Sequence, residues 1–294
     1  MNAMAENFHP EGTSLYRLAT PITGKRCPVL LEMVEDFRQT GFLVIKNLFS
    51  NEEVLKLYRT LDESPVFWRS VYSVVDQNGL SYSEAQWFQP GQEDILAKAT
   101  RAAKVVHVAQ QLLGKGPLYF YRGRGMMKQP LTGGANEWKQ DYQAWYDDGC
   151  LFPTFVSCLI ALTKVDTANC SIHALSGSHH CGRVHHVQHG PDDQKIAEPP
   201  RVQLLEEALE NQHIDLEPGD ALFYHANLLY RIEPNITDHQ NVNLVFSYNT
   251  IDNAPVGESS IQVFDGPLDI LDAEAVSKLG STKLEERNFI QAQQ

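Results

Sequence analysis

From Pro117 onward the sequence breaks into short apolar runs rich in Tyr, Phe, Val and Ile, closed off by clusters of Gly, Pro, Asn and Asp. Leu118–Tyr121, Val156–Leu162, Ile172–Leu175, Ala221–Tyr224 and Val242–Tyr248 are the clearest. β-Branched and aromatic residues in runs this short fit a pleated, half-buried surface, so each reads as a strand. Many short strands must pair and cover a common core, which points to a sandwich or jelly roll.

The N-terminal third has a different texture. Leu30, Leu31, Val34 and Phe37 fall at helical spacing, Gly41 breaks the pattern, and Phe42–Ile45 reads as a buried strand. Ser50 and Glu53 form a capping box ahead of a helix carrying Val54, Leu57, Tyr58 and Leu61 on one face. A second helix is predicted from Asp94 to Leu113, stopped by Gly114. The expected fold is therefore α+β, mainly β, with flanking N-terminal helices. Residues 1–27 read as a flexible arm, 28–294 as one domain, and 273–294 as a terminal helix with a polar tail.

Composition narrows the function classes. A net charge of −13 argues against nucleic acid and anionic membranes, because phosphate binding needs basic patches. The five cysteines are scattered, with no CxxC, which disfavours a zinc site or a secreted disulfide framework. The polar N-terminus lacks a signal-peptide layout, and no apolar run approaches the roughly 20 residues that span a bilayer. A soluble cytoplasmic protein is expected.

Three passages could carry chemistry. In Glu137–Tyr146, a strand would place Lys139 and Asp141 on one face with Gln140 opposite, either as a paired ionic site or as a solvated edge pair. In Glu217–Arg231, Pro-Gly-Asp signals a turn, and His225 is a ligand, an acid/base or a core histidine. Ser176–His189 holds five histidines and a cysteine, but its spacing matches no usual zinc pattern and its Gly and Ser content reads as loop.

Taken in order, these passages resemble the phytanoyl-CoA dioxygenase family of Fe(II)/2-oxoglutarate oxygenases. The blocks include Met126-Met127-Lys128, Trp138-x-Gln140-Asp141-Tyr142, Gly149–Pro153, Ser157–Leu162, Gly177-Ser178-His179, Leu216–Asp220 and Phe246–Asn249. The resemblance implies a double-stranded β-helix, a jelly-roll (cupin-like) barrel with iron in its mouth. It also implies a His-x-Asp pair and a distant histidine as the facial triad. Here those positions are Lys139, Asp141 and Tyr230, of which only Asp141 is a competent ligand. The positions implied for gripping 2-oxoglutarate are Ile232 and Asn241, which replace a serine and an arginine. The resemblance therefore implies a degenerate centre in which neither Fe(II) nor 2-oxoglutarate binds tightly. Lys139 is expected to substitute for the iron by pairing with Asp141, with Tyr230 filling the remaining volume.

Three readings of function remain open at this stage. The chain is a non-catalytic subunit that forms a heterodimer with an active homologous oxygenase acting on a small molecule. Alternatively it is an iron-independent isomerase, cyclase or lyase using Lys139, Asp141 and Tyr230. In the third reading it is an oxygenase with a non-standard iron site, borrowing His173 or His225.

Overall fold

The computed structural model describes residues 29–76, 78–89, 91, 93–114, 116–189, 194–256, 266–279 and 283–284. The expected arm, 1–27, lies outside the described residues, as does most of the expected terminal helix. Helix α1 (Leu31–Thr40) leads into β1 (Phe42–Ile45), then α2 (Asn51–Glu63) and α3 (Pro65–Trp68). The hairpin β2 (Tyr72–Val75) and β3 (Ser81–Trp87) precedes α4 (Ile95–Arg101) and α5 (Ala103–Leu113). Next come β4 (Leu118–Lys128), β5 (Asn136–Lys139), α6 (Tyr142–Asp147), β6 (Phe155–Ala161) and β7 (Ile172–Leu175). The chain continues through β8 (His186–His189), β9 (Gln194–Ala197), α7 (Pro199–Ala208) and β10 (Asn211–Ile214). It then adds β11 (Ala221–His225), β12 (Tyr230–Ile232) and β13 (Asn241–Thr250).

The strands build a seven-stranded sheet, β1-β11-β6-β13-β4-β3-β2, and a four-stranded sheet, β10-β7-β12-β5. Neighbouring strands in both are antiparallel. Between them lies an apolar core to which the large sheet gives Met126, Leu159, Leu222 and Val245, and the small sheet gives Ile172, Ala174 and Ile232. The other face of the large sheet is covered by α1, α2, α4 and α5 through a second core containing Phe37, Leu57, Leu96, Val106 and Met127. Met126 and Met127 sit in different cores because successive strand residues point to opposite faces. The result is the expected jelly-roll barrel with helices along one wall.

Local signals placed most elements correctly. Ser50 Oγ accepts from the Glu53 amide at 3.3 Å, and Glu53 Oε2 accepts from the Ser50 amide at 2.8 Å, which is the capping box. The predicted helix from Asp94 to Leu113 is instead two helices that break at Ala102, whose ψ is 128°. The cause is tertiary: the Ala103 amide donates to Leu271 O at 2.9 Å and the Leu271 amide to Arg101 O at 2.8 Å. The described part of the expected terminal helix, 273–278, forms turns. Among the described residues no helix is long and apolar enough to cross a membrane.

The Pro218-Gly219 turn returns the chain to β11 under tight constraint. Gly219 has φ of +94°, and a Cβ there would lie 2.3 Å from the Phe49 carbonyl oxygen. Gly79 is also left-handed, φ +78°, with nothing within 4 Å of a Cβ. Gly219→Ala is expected to destabilise the protein by about 2–4 kcal/mol, and Gly79→Ala by only about 1 kcal/mol. Urea denaturation of the two variants checks this difference.

Candidate functional site

Lys139 ends β5, and its backbone pairs directly with Tyr230 of β12. Tyr230 in turn pairs with Ala174 of β7, so Tyr230 and Lys139 both face the barrel interior. The strand stops at Lys139 rather than running on through Asp141 as the alternation suggested. Gln140 turns the other way and is fully engaged: its amide nitrogen donates to Gly182 O at 2.8 Å and Asn227 O at 2.6 Å. Gln140 Oε1 accepts from the Val184 amide at 2.7 Å. The Gln140 backbone N–H donates to His186 Nε2 at 3.0 Å, and the Tyr142 N–H to Ala226 O at 3.0 Å. Asp141 is therefore held between two anchored neighbours and points into the barrel mouth.

Three side chains meet the Asp141 carboxylate. Tyr230 donates its hydroxyl to Oδ1 at 2.8 Å, and Tyr224 donates to Oδ2 at 3.2 Å. Arg124 Nη2 donates to Oδ2 at 3.2 Å, forming an ion pair whose two side chains are both buried. This corrects the expected pairing of Lys139 with Asp141. Lys139 makes no ion pair among the described residues; its Nζ lies 5.8 Å from the centre of the Tyr230 ring. The charge partner of Asp141 is a guanidinium from β4.

The electrostatics follow from this arrangement. Burial pushes the Asp141 carboxyl up, but the Arg124 guanidinium, the more distant Lys139 and Arg122, and the Tyr230 hydroxyl outweigh it. The carboxyl is held below the ordinary carboxylate value. Burial, and then the neighbouring Arg124 charge, push Lys139 below the usual lysine value. Burial and the Asp141 charge hold the Tyr230 hydroxyl well above the usual phenol value, so it stays protonated and donates.

Deeper in the barrel, Ile232 packs with Ile172, Leu222 and Tyr230 in the inner core. The void beside it is about 10 Å3, on the scale of a single water. Asn241 opens β13, donates Nδ2 to Lys164 O at 3.2 Å, and accepts from Asn243 at 2.6 Å. Its cross-strand neighbour is Lys128, whose buried ammonium donates to Glu233 O at 3.0 Å and Ile232 O at 3.4 Å. Burial pushes Lys128 down to about 8.

Above Asp141 the barrel mouth opens into a cavity of about 690 Å3. Its inner wall carries Arg122, Arg124, Lys139, Glu84 and Asp141, and its rim carries Asp147, Asp148 and Lys195. His173 and His225 are not part of it. His173 alternates with the inward Ile172 and Ala174, its Nε2 lies 3.4 Å from Glu233 Oε1, and burial pushes it below the usual histidine value. His225 follows the inward Tyr224, accepts from the Asn227 amide at 3.0 Å, and is pushed down to about 3 by burial. Neither side chain is brought to Asp141. Among the described residues there is no group of three His, Cys, Asp or Glu side chains that could hold a metal ion.

Sequence reasoning missed Arg124, Tyr224 and Lys128. The signal for Arg124 and Lys128 is the run Arg122-Gly123-Arg124-Gly125-Met126-Met127-Lys128, in which Arg122, Arg124, Met126 and Lys128 share one face. The intervening glycines leave room for aromatic rings: a Cβ on Gly123 would lie 2.2 Å from the Trp87 ring, and one on Gly125 2.7 Å from Phe67.

With this geometry in place, the comparisons with known proteins are decisive for the family. The phytanoyl-CoA dioxygenase (PhyH) profile matches residues 37–241. The chain belongs to that family. An ectoine dioxygenase of Stutzerimonas stutzeri is 28% identical over 244 residues, covering 78% of this chain and 80% of the relative. An L-proline trans-4-hydroxylase of Streptomyces griseoviridis is 25% identical over 242 residues, covering 77% and 88%. The iron-bound crystal structure of EctD from S. alaskensis superposes with a TM-score of 0.68 at 18% identity, covering 85% of this chain and 90% of that one. The 2-oxoglutarate-dependent carbocyclase SnoK from nogalamycin biosynthesis superposes at 0.63 with 19% identity, covering 87% and 98%. These likenesses fix the fold as that of the Fe(II)/2-oxoglutarate oxygenases.

Replacing Asp141 by Asn would take from the buried Arg124 guanidinium the carboxylate it is paired with. Asp141→Asn is expected to cost about 3–5 kcal/mol of stability near neutral pH. The folded carboxyl is lowered, so its contribution is present above the unfolded value of about 3.9 and is lost as pH falls through the lower folded value. Denaturation of both proteins across the acid range should show the gap closing only there.

Proposed function

We propose that this protein is a phytanoyl-CoA dioxygenase-family barrel that works without Fe(II), by binding, as the partner subunit of a catalytically competent homologous oxygenase. The observation that carries this reading is the Asp141 carboxylate, both of whose oxygens are taken by Arg124, Tyr224 and Tyr230. An Fe(II) ion needs lone pairs from several ligands. Asp141 offers the only carboxylate among the three triad positions, beside an amine and a phenol held in its protonated form. A guanidinium also stands on that carboxylate and cannot give up its proton. These residues do not fit the ion.

The 2-oxoglutarate grip fits no better. Ile232 has no donor, Asn241 is spent on Lys164 and Asn243, and Lys128 is spent on main-chain carbonyls. The partner reading draws support from exposed apolar side chains on adjoining loops: Leu151 and Phe152, and Val256, whose amide donates to Gly149 O at 3.0 Å. The relatives named for ectoine and L-proline support a small molecule as the partner's substrate. A cytoplasmic setting accords with four unbonded cysteines among the described residues.

An iron-independent enzyme is the second reading, favoured by the Lys139 amine, which lines an open cavity and makes no ion pair among the described residues. Asp141 and Tyr230 contribute less to it than expected, since each is already committed to the other.

Anaerobic titration of the purified chain with Fe(II) is expected to leave it without stoichiometric metal. One tightly held iron per chain would overturn the reading. Lys139→His with Tyr230→His is expected to recover iron binding only when Arg124→Gln is added, because the guanidinium otherwise stays on Asp141. Co-expression with a homologous oxygenase is expected to yield a complex whose turnover requires both chains. A homologue with full stability and turnover alone would refute the partner role.

A further inference from the structure

Helix α7 uses one side to hold the fold and leaves the other bare. Val202 is buried with Trp138, Leu175 and Leu229, and Leu205 and Leu209 pack against the same cluster. These positions fall on one helical face and anchor α7 to the outer side of the small sheet. Leu204 lies off that face and is 66% exposed. Beside it, a groove of about 500 Å3 separates α7 from the segment 181–185. One exposed leucine is ordinary; the pattern around this one is not.

Arg201 stands three residues before Leu204 and Glu207 three after, so the three share a face with the leucine in the middle. Pro200 and Ala208, four before and four after, are exposed as well. Charge runs against the helix dipole: Glu206 and Glu207 stand in the last turn, where the dipole favours cations, and Glu210 follows. None of these three carboxylates has an ion pair among the described residues. Glu207 accepts from the neutral Gln203 amide at 3.4 Å. Arg201 meets Glu198, but both side chains are well exposed, and such a pair contributes little.

An antiparallel copy of the same helix answers each feature. A two-fold axis through Leu204 sets position 201 of one chain against 207 of the other, twice, because both are equidistant from 204. Leu204 then packs on its own counterpart, and each Glu207 gains a guanidinium at the end where its own helix supplies none. A parallel copy would set arginine against arginine and glutamate against glutamate.

We infer that the exposed face of α7 is a two-fold interface between two copies of this chain, centred on Leu204 and closed at each end by Arg201 of one copy and Glu207 of the other. The helix has ten residues and is about 15 Å long, so its face falls short of the roughly 800 Å2 per partner of a standard interface. Arg183 and His185, across the groove, widen it. The dimer is correspondingly weak, with a dissociation constant of about 1–50 μM. The inference goes beyond the proposed pairing with an oxygenase, and it uses other elements than the loops carrying Leu151, Phe152 and Val256.

The test is sedimentation equilibrium of the purified full chain between about 1 and 200 μM. A reversible shift from the chain mass to twice that mass is expected. Leu204→Glu, Arg201→Glu and Glu207→Arg are each expected to weaken the dimer about tenfold or more, since each sets like charges or a buried carboxylate at the contact. Arg201→Glu combined with Glu207→Arg exchanges the charges and is expected to recover the native constant to within about threefold. Circular dichroism and the melting transition identify folded variants, and the charge exchange decides the matter if Leu204→Glu does not fold. A chain that stays monomeric throughout overturns the inference, as does a dimer indifferent to Leu204→Glu, or a double reversal no tighter than the single ones. A chain monomeric alone, whose complex with a homologous oxygenase is broken by Leu204→Glu, overturns it too, by giving the face to that partner. No oxygenase enters the sedimentation measurement, so its failure leaves the partner reading standing.

Discussion

The Asp141 carboxylate organises the barrel mouth. A carboxylate removed from water costs several kcal/mol unless donors surround it, and here those donors come from both sheets. Arg124 on β4 and Tyr224 on β11 belong to the large sheet, and Tyr230 on β12 to the small one. Asp141, following β5 of the small sheet, thus clasps the two walls together where the apolar core gives out. In an iron-bound relative a metal sits in a barrel of this shape. In this chain the cation paired with Asp141 is the Arg124 guanidinium.

The interior cations on β4 and β5 are satisfied in different ways. Lys128 satisfies its ammonium with main-chain carbonyls, Arg124 with a carboxylate, and Lys139 with neither. Two of the three are thereby built into the framework. The third faces the open cavity. Beside Ile232 the barrel leaves a void of about 10 Å3, while its mouth opens into about 690 Å3.

What could be read from the sequence follows how locally each feature is determined. The capping box at Ser50 and the short apolar run Ile172–Leu175 that forms β7 depend on neighbours a few residues away, so both were legible. The family resemblance singled out Lys139, Asp141 and Tyr230 together, but the pairing expected from it, Lys139 with Asp141, is replaced by Arg124 with Asp141. The break at Ala102 was not legible, because Leu271, far along the chain, inserts its backbone there. Arg124 escaped for a similar reason. Its contact with Asp141 is set by the register of β4 against β13 and β3, which no local pattern announces. The glycine alternation around Arg124 was visible, but its meaning depends on Trp87 and Phe67 arriving on the opposite face.

The replacements at the centre also condition one another. Once Arg124 pairs with Asp141, a metal at that point would face a fixed positive charge, so a histidine at 139 gains nothing from its lone pair. A tyrosine at 230 supplies the donor that Oδ1 then needs, and its ring packs 5.1 Å from that of Tyr224. Returning Tyr230 alone to a shorter imidazole would withdraw that hydroxyl and open space beside the carboxylate, without displacing the guanidinium. Each single reversion therefore costs stability before any metal affinity can offset it. Arg124, Asp141, Tyr224 and Tyr230 thus satisfy one another, and among the described residues Lys139 takes no hydrogen bond in that cluster.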